Sequence, residues 1–157
     1  MSTKQLMPVD EESDEPDLGF CCTATTLCTL PAGRYYIGDP CYALENPLYA
    51  VLVCSDRHRW SGRLCQRGSE HVFLGSTAFG DGGYRGTDGR EYCVDSGCLS
   101  IIPLSLIAGD VEHLGSVRRF RSPVRCIFED GVFLFLAGAN SLVIDTAQEG
   151  KLEEEEE

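Results

Sequence analysis

The chain lacks the signals that most directly assign a chemistry or a compartment. No two of its nine cysteines have the Cys-x-x-Cys spacing of a structural zinc site. Phosphate-loop and EF-hand motifs are also absent. The first residues contain no apolar signal-peptide core, and the longest apolar run, residues 132–139, is too short to span a bilayer. We therefore expect an intracellular, cytoplasmic protein in a reducing compartment, without cofactor or membrane contact, whose cysteines are mostly small buried hydrophobic residues.

An excess of positive charge is lacking as well. The net charge is -12, and residues 1–18 and 149–157 each hold six acids and one lysine, so the two ends carry -10 and leave -2 on residues 19–148. Such acidic ends are typical of disordered tails, and the remainder is long enough for a single globular domain. Repulsion from phosphate makes nucleic acid an unfavourable partner, so we expect a protein partner. The oligomeric state is left open.

Alternating apolar residues predict a chain made mostly of strands. Residues 34–38 and 71–79 alternate, and residues 91–102 form a strand that is broken at Ser96 and Gly97. The glycine-rich stretch 80–90 between them predicts a flexible hairpin tip. Residues 117–120 are basic, which is typical of an edge strand. Residues 124–146 predict a three-stranded meander, because Asp130-Gly131 is a hairpin turn signal.

One helix is predicted over residues 46–60. Asn46 is a suitable N-cap, Pro47 fits the first helical position, and Leu48, Val51 and Leu52 would share one face. The fold class that follows is α+β and mainly antiparallel β. We expect a curled sheet or partly open barrel with this one helix packed on it.

Two short sequence motifs indicate a candidate functional site. GDPCY at residues 38–42 and VDSG at residues 94–97 each end a strand with an aspartate, and we expect Asp39 and Asp95 to come together. Each aspartate can cap backbone amides, or it can act as an acid, a base or a metal ligand. If the two carboxylates meet, their repulsion should raise one pKa.

These blocks also carry a resemblance. Residues 31–103 resemble an uncharacterised family of small phage, bacterial and algal or protist proteins in which a Gly-Asp-Pro-Cys-Tyr block precedes a Val-Asp-Ser-Gly block. The resemblance implies a β-rich fold and no mechanism.

Three functions stay open on this basis. The first is a non-catalytic binding, structural or regulatory module that uses the cleft beside Asp39 and Asp95. The second is a small hydrolase or transferase in which those aspartates act with Cys41 or Ser96 as the nucleophile. The third is a cysteine-rich metal- or redox-responsive protein, whose mixed metal site would be formed by Cys41, Cys93, Asp39 and Asp95.

Overall fold

A computed structural model describes residues 18–45, 48–54, 62–107, 109 and 115–148. Its strands are β1 Cys21–Ala24, β2 Leu27–Leu30, β3 Gly33–Gly38, β4 Arg63–Arg67, β5 Glu70–Ser76, β6 Gly82–Arg85, β7 Glu91–Val94, β8 Cys98–Pro103, β9 Ser116–Phe120, β10 Val124–Glu129, β11 Val132–Leu136 and β12 Leu142–Asp145. The helical pieces are short: α1 Pro40–Ala43, a π-helical segment Ala50–Cys54, and 3₁₀ turns at Leu104–Leu106, Gly138–Asn140 and Thr146–Gln148.

These strands form three antiparallel sheets. The first sheet has six strands in the order β1-β4-β5-β8-β3-β9, the second has four in the order β12-β11-β10-β2, and the third is the hairpin β6-β7. The described strands do not close into a barrel. The basic strand β9 lies at an edge of the first sheet, as predicted from its arginines.

The main core lies between the six-stranded and four-stranded sheets. Alternation points Tyr35 and Ile37 of β3 into this core and Tyr36 to the opposite face, as their spacing predicts. From the second sheet, Phe133 and Phe135 enter the same core and are fully buried. Burial of each such side chain contributes about 2 kcal/mol, so this layer is the main source of stability.

A second apolar cluster covers the other face of the six-stranded sheet. Tyr36, Val72 and Ile102 meet residues of the helical region there, including Leu52, which is fully buried. The six-stranded sheet is therefore apolar on both faces, while the four-stranded sheet has one face in the core. The outward face of the four-stranded sheet is therefore not covered by either of these two apolar clusters.

The meander predicted over residues 124–146 is confirmed. Strands β10, β11 and β12 are consecutive neighbours, and the turn between the first two uses Asp130 at φ 53° and Gly131 at φ 85°. Positive φ at both central turn positions matches the right-handed twist of the hairpin, which explains the Asp-Gly pair.

The single helix over residues 46–60 is not confirmed. Residues 48–54 are helical, with a π-helical stretch, but residues 46–47 and 55–60 lie outside the described part of the chain. A one-turn helix, α1, instead follows Asp39 directly, and it is too short to have a periodic signal in sequence. The curling of the sheet stays a prediction, and the two acidic ends fall outside the described residues apart from Leu18.

Candidate functional site

The two blocks nominated from sequence come together at the end of β3. Asp39 is the N-cap of α1, with Pro40 in the first turn, and its carboxylate is fully buried. Asp39 Oδ1 accepts a hydrogen bond from the backbone amide of Cys41 at 2.7 Å. A short polar side chain at this position satisfies an amide that the helix itself leaves unpaired. One function of Asp39 is therefore to cap the helix that follows it.

The same carboxylate also holds the second block. Asp39 Oδ2 accepts the backbone amides of Asp95 at 2.5 Å and Ser96 at 2.8 Å, and Oδ1 accepts the Ser96 hydroxyl at 2.7 Å. We call this arrangement the Asp39 cap. It confirms that the two strand ends meet. They meet through one carboxylate and the backbone that follows the other strand.

The Asp39 cap uses most of the acceptor capacity of the carboxylate. Four donors converge on two oxygens, each of which has two lone pairs. Hydrogen bonds to a charged acceptor are about twice as strong as neutral ones, so this buried charge is compensated. A carboxylate held in this way has little acceptor capacity left for a substrate or a metal ion.

The neighbouring backbone is packed closely around the cap. The Tyr36 hydroxyl donates to the Asp39 carbonyl at 2.9 Å, and the Ser100 hydroxyl donates to the Gly38 carbonyl at 2.8 Å. A Cβ atom on Gly38 would lie 2.5 Å from the Tyr36 hydroxyl, a distance that packed atoms do not reach. Glycine at position 38 is required by this close approach.

Asp95 has a different environment from Asp39. Its side chain is exposed, and Oδ2 accepts the Tyr42 hydroxyl at 2.5 Å. That hydrogen bond, with a smaller effect of burial, raises the pKa of Tyr42. Asp95 thus contributes its backbone amide to the Asp39 cap and directs its carboxylate towards a tyrosine at the surface.

Cys41 lies beside the cap but is poorly suited to nucleophilic chemistry. Burial raises the pKa of its thiol to about 12, and a hydrogen bond to Asp39 and the negative charges of Asp39, Asp95 and Asp81 act in the same direction. The thiolate is the nucleophilic and metal-binding form, so at neutral pH almost none is present.

Ser96, the other candidate nucleophile, already donates its hydroxyl to Asp39. A nucleophilic serine needs an adjacent general base, and the Asp39 carboxylate beside Ser96 is already occupied by three backbone amides as well as by this hydroxyl. The structure therefore brings together all four candidate residues: Asp39, Asp95, Cys41 and Ser96. Their hydrogen bonds are those of a backbone cap and do not pair a nucleophile with a general base.

The mixed metal site that the sequence left open as an alternative has no counterpart in the described residues. Among them, no group of three or more His, Cys, Asp or Glu side chains is placed to hold a metal ion. Cys93, the remaining candidate ligand, is exposed on β7 directly opposite Gly83.

A second polar network, missed by sequence reasoning, joins the glycine-rich tip to β9. Asp88 Oδ2 lies 2.7 Å from the Tyr92 hydroxyl and 3.1 Å from Arg118 Nη2, and Oδ1 accepts the Arg90 amide at 3.1 Å. Tyr92 is fully buried and also contacts the Ser116 hydroxyl at 2.8 Å. Asp88 thus anchors the tip, and no sequence signal pairs it with an arginine thirty residues later.

One cysteine pair departs from the expectation of a reducing compartment. Cys22 of β1 and Cys65 of β4 are directly opposite each other and form a disulfide, with Cα atoms 4.0 Å apart. Disulfides are rare in reducing compartments. This bond counts against the expected environment, and the cellular location stays a prediction.

The fold and the site define a β-rich domain of two facing sheets, organised around a structural aspartate. In the part of the chain that the structure describes, no helix is long and apolar enough to cross a membrane. No protein-family model, curated protein or solved structure matches this chain. The resemblance to small phage, bacterial and protist proteins therefore stays a prediction.

Proposed function

We propose that this chain is a non-catalytic binding module whose partner is a protein. The observation that carries the proposal is the Asp39 cap, in which the carboxylate most suggestive of catalysis is buried and accepts four hydrogen bonds. Its two potential nucleophiles are a strongly protonated thiol, Cys41, and a hydroxyl that already donates to the cap, Ser96. The nominated site thus stabilises the fold, and the binding surface lies elsewhere.

The outward face of the four-stranded sheet supplies that surface. Side chains that alternate with the core residues form a row across all four strands, in which each residue is directly opposite the next: Leu27, Ile127, Leu134 and Val143. Leu27 is 51% exposed and the other three are half-buried. We call these four residues the apolar row. Contiguous apolar residues on an otherwise polar surface are typical of protein interfaces.

The charges beside the apolar row favour a second copy of the same chain as the partner. On β10, Arg125 and Glu129 are exposed and lie two residues before and two residues after Ile127 on the same face. A two-fold axis along the row would place the row against itself and Arg125 of each copy against Glu129 of the other. An isologous interface requires this kind of self-complementarity.

A charge reversal tests the self-association. We expect light scattering coupled to size-exclusion chromatography to give a dimer for the wild type. Arg125→Glu should raise the dissociation constant about tenfold or more. In each copy the new glutamate would face Glu129 of the other copy, so the interface would contain two repulsive contacts. The double variant Arg125→Glu/Glu129→Arg should restore dimerisation, since the opposite charges face each other again.

The matched control is Arg121→Glu, which makes the same charge change at an exposed position outside the strands of the second sheet. It should leave the dissociation constant unchanged. A wild type that stays monomeric at every concentration, or a double variant that dissociates as readily as Arg125→Glu, would exclude this interface.

A further inference from the structure

The first two strands form one segment that joins both large sheets. β1 pairs with β4 at an edge of the six-stranded sheet, and β2 pairs with β10 at an edge of the four-stranded sheet. Only residues 25–26 separate β1 from β2. The segment from β1 to β2, residues 21–30, therefore spans the edges of the two layers, and we call it the edge strap.

Each strand of the edge strap has a cysteine directly opposite a cysteine of its partner strand. Cys22 faces Cys65 and is joined to it in a disulfide. Cys28 faces Cys126 in the same antiparallel register, and both are thiols. Directly opposed Cβ atoms of an antiparallel pair lie about 4.5–5.5 Å apart, whereas a disulfide needs about 3.5–4.5 Å. Oxidation of the second pair therefore requires β2 and β10 to approach each other by about 1 Å at this position, and β2 is an edge strand with a neighbour on one side only.

The surroundings of the second pair determine which thiol reacts first. Cys126 is fully buried, whereas Cys28 is half-buried and reachable from the surface. A hydrogen bond with Cys28, together with burial, raises the pKa of Cys126, so Cys126 is a protonated thiol. An external oxidant thus meets Cys28, and Cys126 is in contact with it as the resolving residue.

We propose that Cys28 and Cys126 are a second disulfide site, oxidised by a low-molecular-weight disulfide of the glutathione disulfide class. In the first step the Cys28 sulfur attacks the glutathione disulfide. A mixed disulfide forms, and one glutathione leaves as a thiol that carries the Cys28 proton. In the second step Cys126 loses its proton, its thiolate attacks the Cys28 sulfur, and the departing glutathione thiolate takes up a proton; because the raised pKa of Cys126 keeps its thiolate scarce, this step is the slow one. Two protein thiols are oxidised by two electrons, and one glutathione disulfide is reduced to two thiols.

The result would be an edge strap that is fixed covalently to both sheets. With Cys22–Cys65 alone, β2 is held to its sheet by backbone hydrogen bonds and by the buried side chain of Leu30. The second disulfide would add a covalent link between β2 and β10, so that β2 could no longer separate from its sheet without breaking that bond. This inference does not depend on the proposed binding function.

Mass spectrometry tests the chemistry on the full chain. Protein equilibrated with a series of reduced to oxidised glutathione ratios is trapped by alkylation under denaturing conditions and mapped by peptide analysis. We expect a peptide that links Cys28 to Cys126, formed with the loss of two hydrogens. Cys28→Ser should abolish this peptide and leave Cys22–Cys65 intact. Cys93→Ser, the matched control, should not affect it, because Cys93 is opposite Gly83.

Hydrogen exchange tests the structural consequence. Formation of the second disulfide should slow exchange of the β2 amides about tenfold or more, because opening of an edge strand then requires larger motions. Exchange of β12, the other edge of the same sheet, should be unchanged.

Two results would overturn the proposal. One is a Cys28 that stays fully alkylated, or stops at the mixed glutathione disulfide, under conditions in which Cys22–Cys65 is complete. The other is a linked peptide whose formation leaves the exchange of the β2 amides unaltered.

Discussion

The Asp39 carboxylate accepts both the backbone amide and the hydroxyl of Ser96, a residue 57 positions further along the chain. This pair fastens the end of β3 to the turn between β7 and β8, two strands that belong to different sheets. An aspartate usually caps a helix or a turn close to itself in sequence. Asp39 caps its own helix, α1, and a distant turn with the same two oxygens.

Asp39→Asn should lower the free energy of unfolding by about 3 kcal/mol. The amide group that replaces one carboxylate oxygen is itself a donor, so it would face N–H or O–H donors in a fully buried site. Urea unfolding monitored by circular dichroism measures the change. The control is Asp95→Asn at an exposed position, which should cost no more than about 1 kcal/mol. An Asp39→Asn protein as stable as the wild type would show that the cap does not stabilise the fold and would remove the main argument against a catalytic function of Asp39.

Cys41 should react with iodoacetamide far more slowly than an exposed thiol. Burial and the nearby carboxylates raise its pKa to about 12, so at pH 8 the thiolate fraction is about 10⁻⁴. Time-resolved alkylation of the folded protein, followed by peptide mapping, compares Cys41 with the exposed Cys21 of β1. Alkylation of Cys41 ahead of Cys21 would contradict the protonated state and would favour the nucleophilic function.

Much of the local structure could be predicted from the sequence, because it depends on neighbouring residues. The alternation of Tyr35, Tyr36 and Ile37 identified the two faces of β3, and the Asp-Gly pair at residues 130–131 identified a hairpin. The juxtaposition of the two aspartate blocks was also predicted. All of these signals act over a few residues or depend on a strand end with a turn former.

What could not be predicted depends on register between distant strands. The Cys22–Cys65 disulfide follows from the pairing of β1 with β4, and sequence spacing does not determine that pairing. The contact of Asp88 with Arg118 likewise needs the tip and an edge strand to be placed first. Helix α1 was missed because a single turn has no periodicity and is stabilised by its cap.

Asp88→Asn should lower stability at neutral pH by about 1–2 kcal/mol. Burial alone would raise the pKa of Asp88, but hydrogen bonds from Tyr92, the Arg90 amide and Arg118 outweigh it and lower the pKa. A carboxyl group with a lowered pKa stabilises the folded state above its unfolded pKa, near 3.9, and loses this contribution as the pH falls through its folded pKa.

The difference between wild type and Asp88→Asn should therefore be full at pH 7 and shrink below about pH 4. Urea midpoints measured across that range check the dependence. Asp81→Asn, at an exposed position of the same glycine-rich tip, is the control and should change stability by less than about 0.5 kcal/mol. A difference that persists unchanged at low pH would mean that the Asp88 charge contributes nothing.

Two buried tyrosines should make the protein sensitive to alkali. Tyr36 and Tyr92 are fully buried, and burial, joined by the negative charges of Asp39 and Asp88 respectively, raises the pKa of each hydroxyl. In the unfolded chain both groups ionise near pH 10. The folded state therefore keeps protons that the unfolded state releases, and stability falls as the pH rises above 10.

The expected slope is about 1.4 kcal/mol per pH unit for each tyrosine that stays protonated in the folded state. Tyr36→Phe removes one of these protons, so between pH 10 and 11 its stability should fall by about 1 kcal/mol less than that of the wild type, since the unfolded tyrosine is only partly ionised in this interval. It should also be less stable at neutral pH, because the Tyr36 hydroxyl no longer donates to the Asp39 carbonyl. Urea unfolding at closely spaced pH values separates the two effects, since the lost hydrogen bond displaces the whole curve and the lost proton changes its slope. Equal slopes for the two proteins would mean that Tyr36 ionises as readily in the folded state as in the unfolded chain.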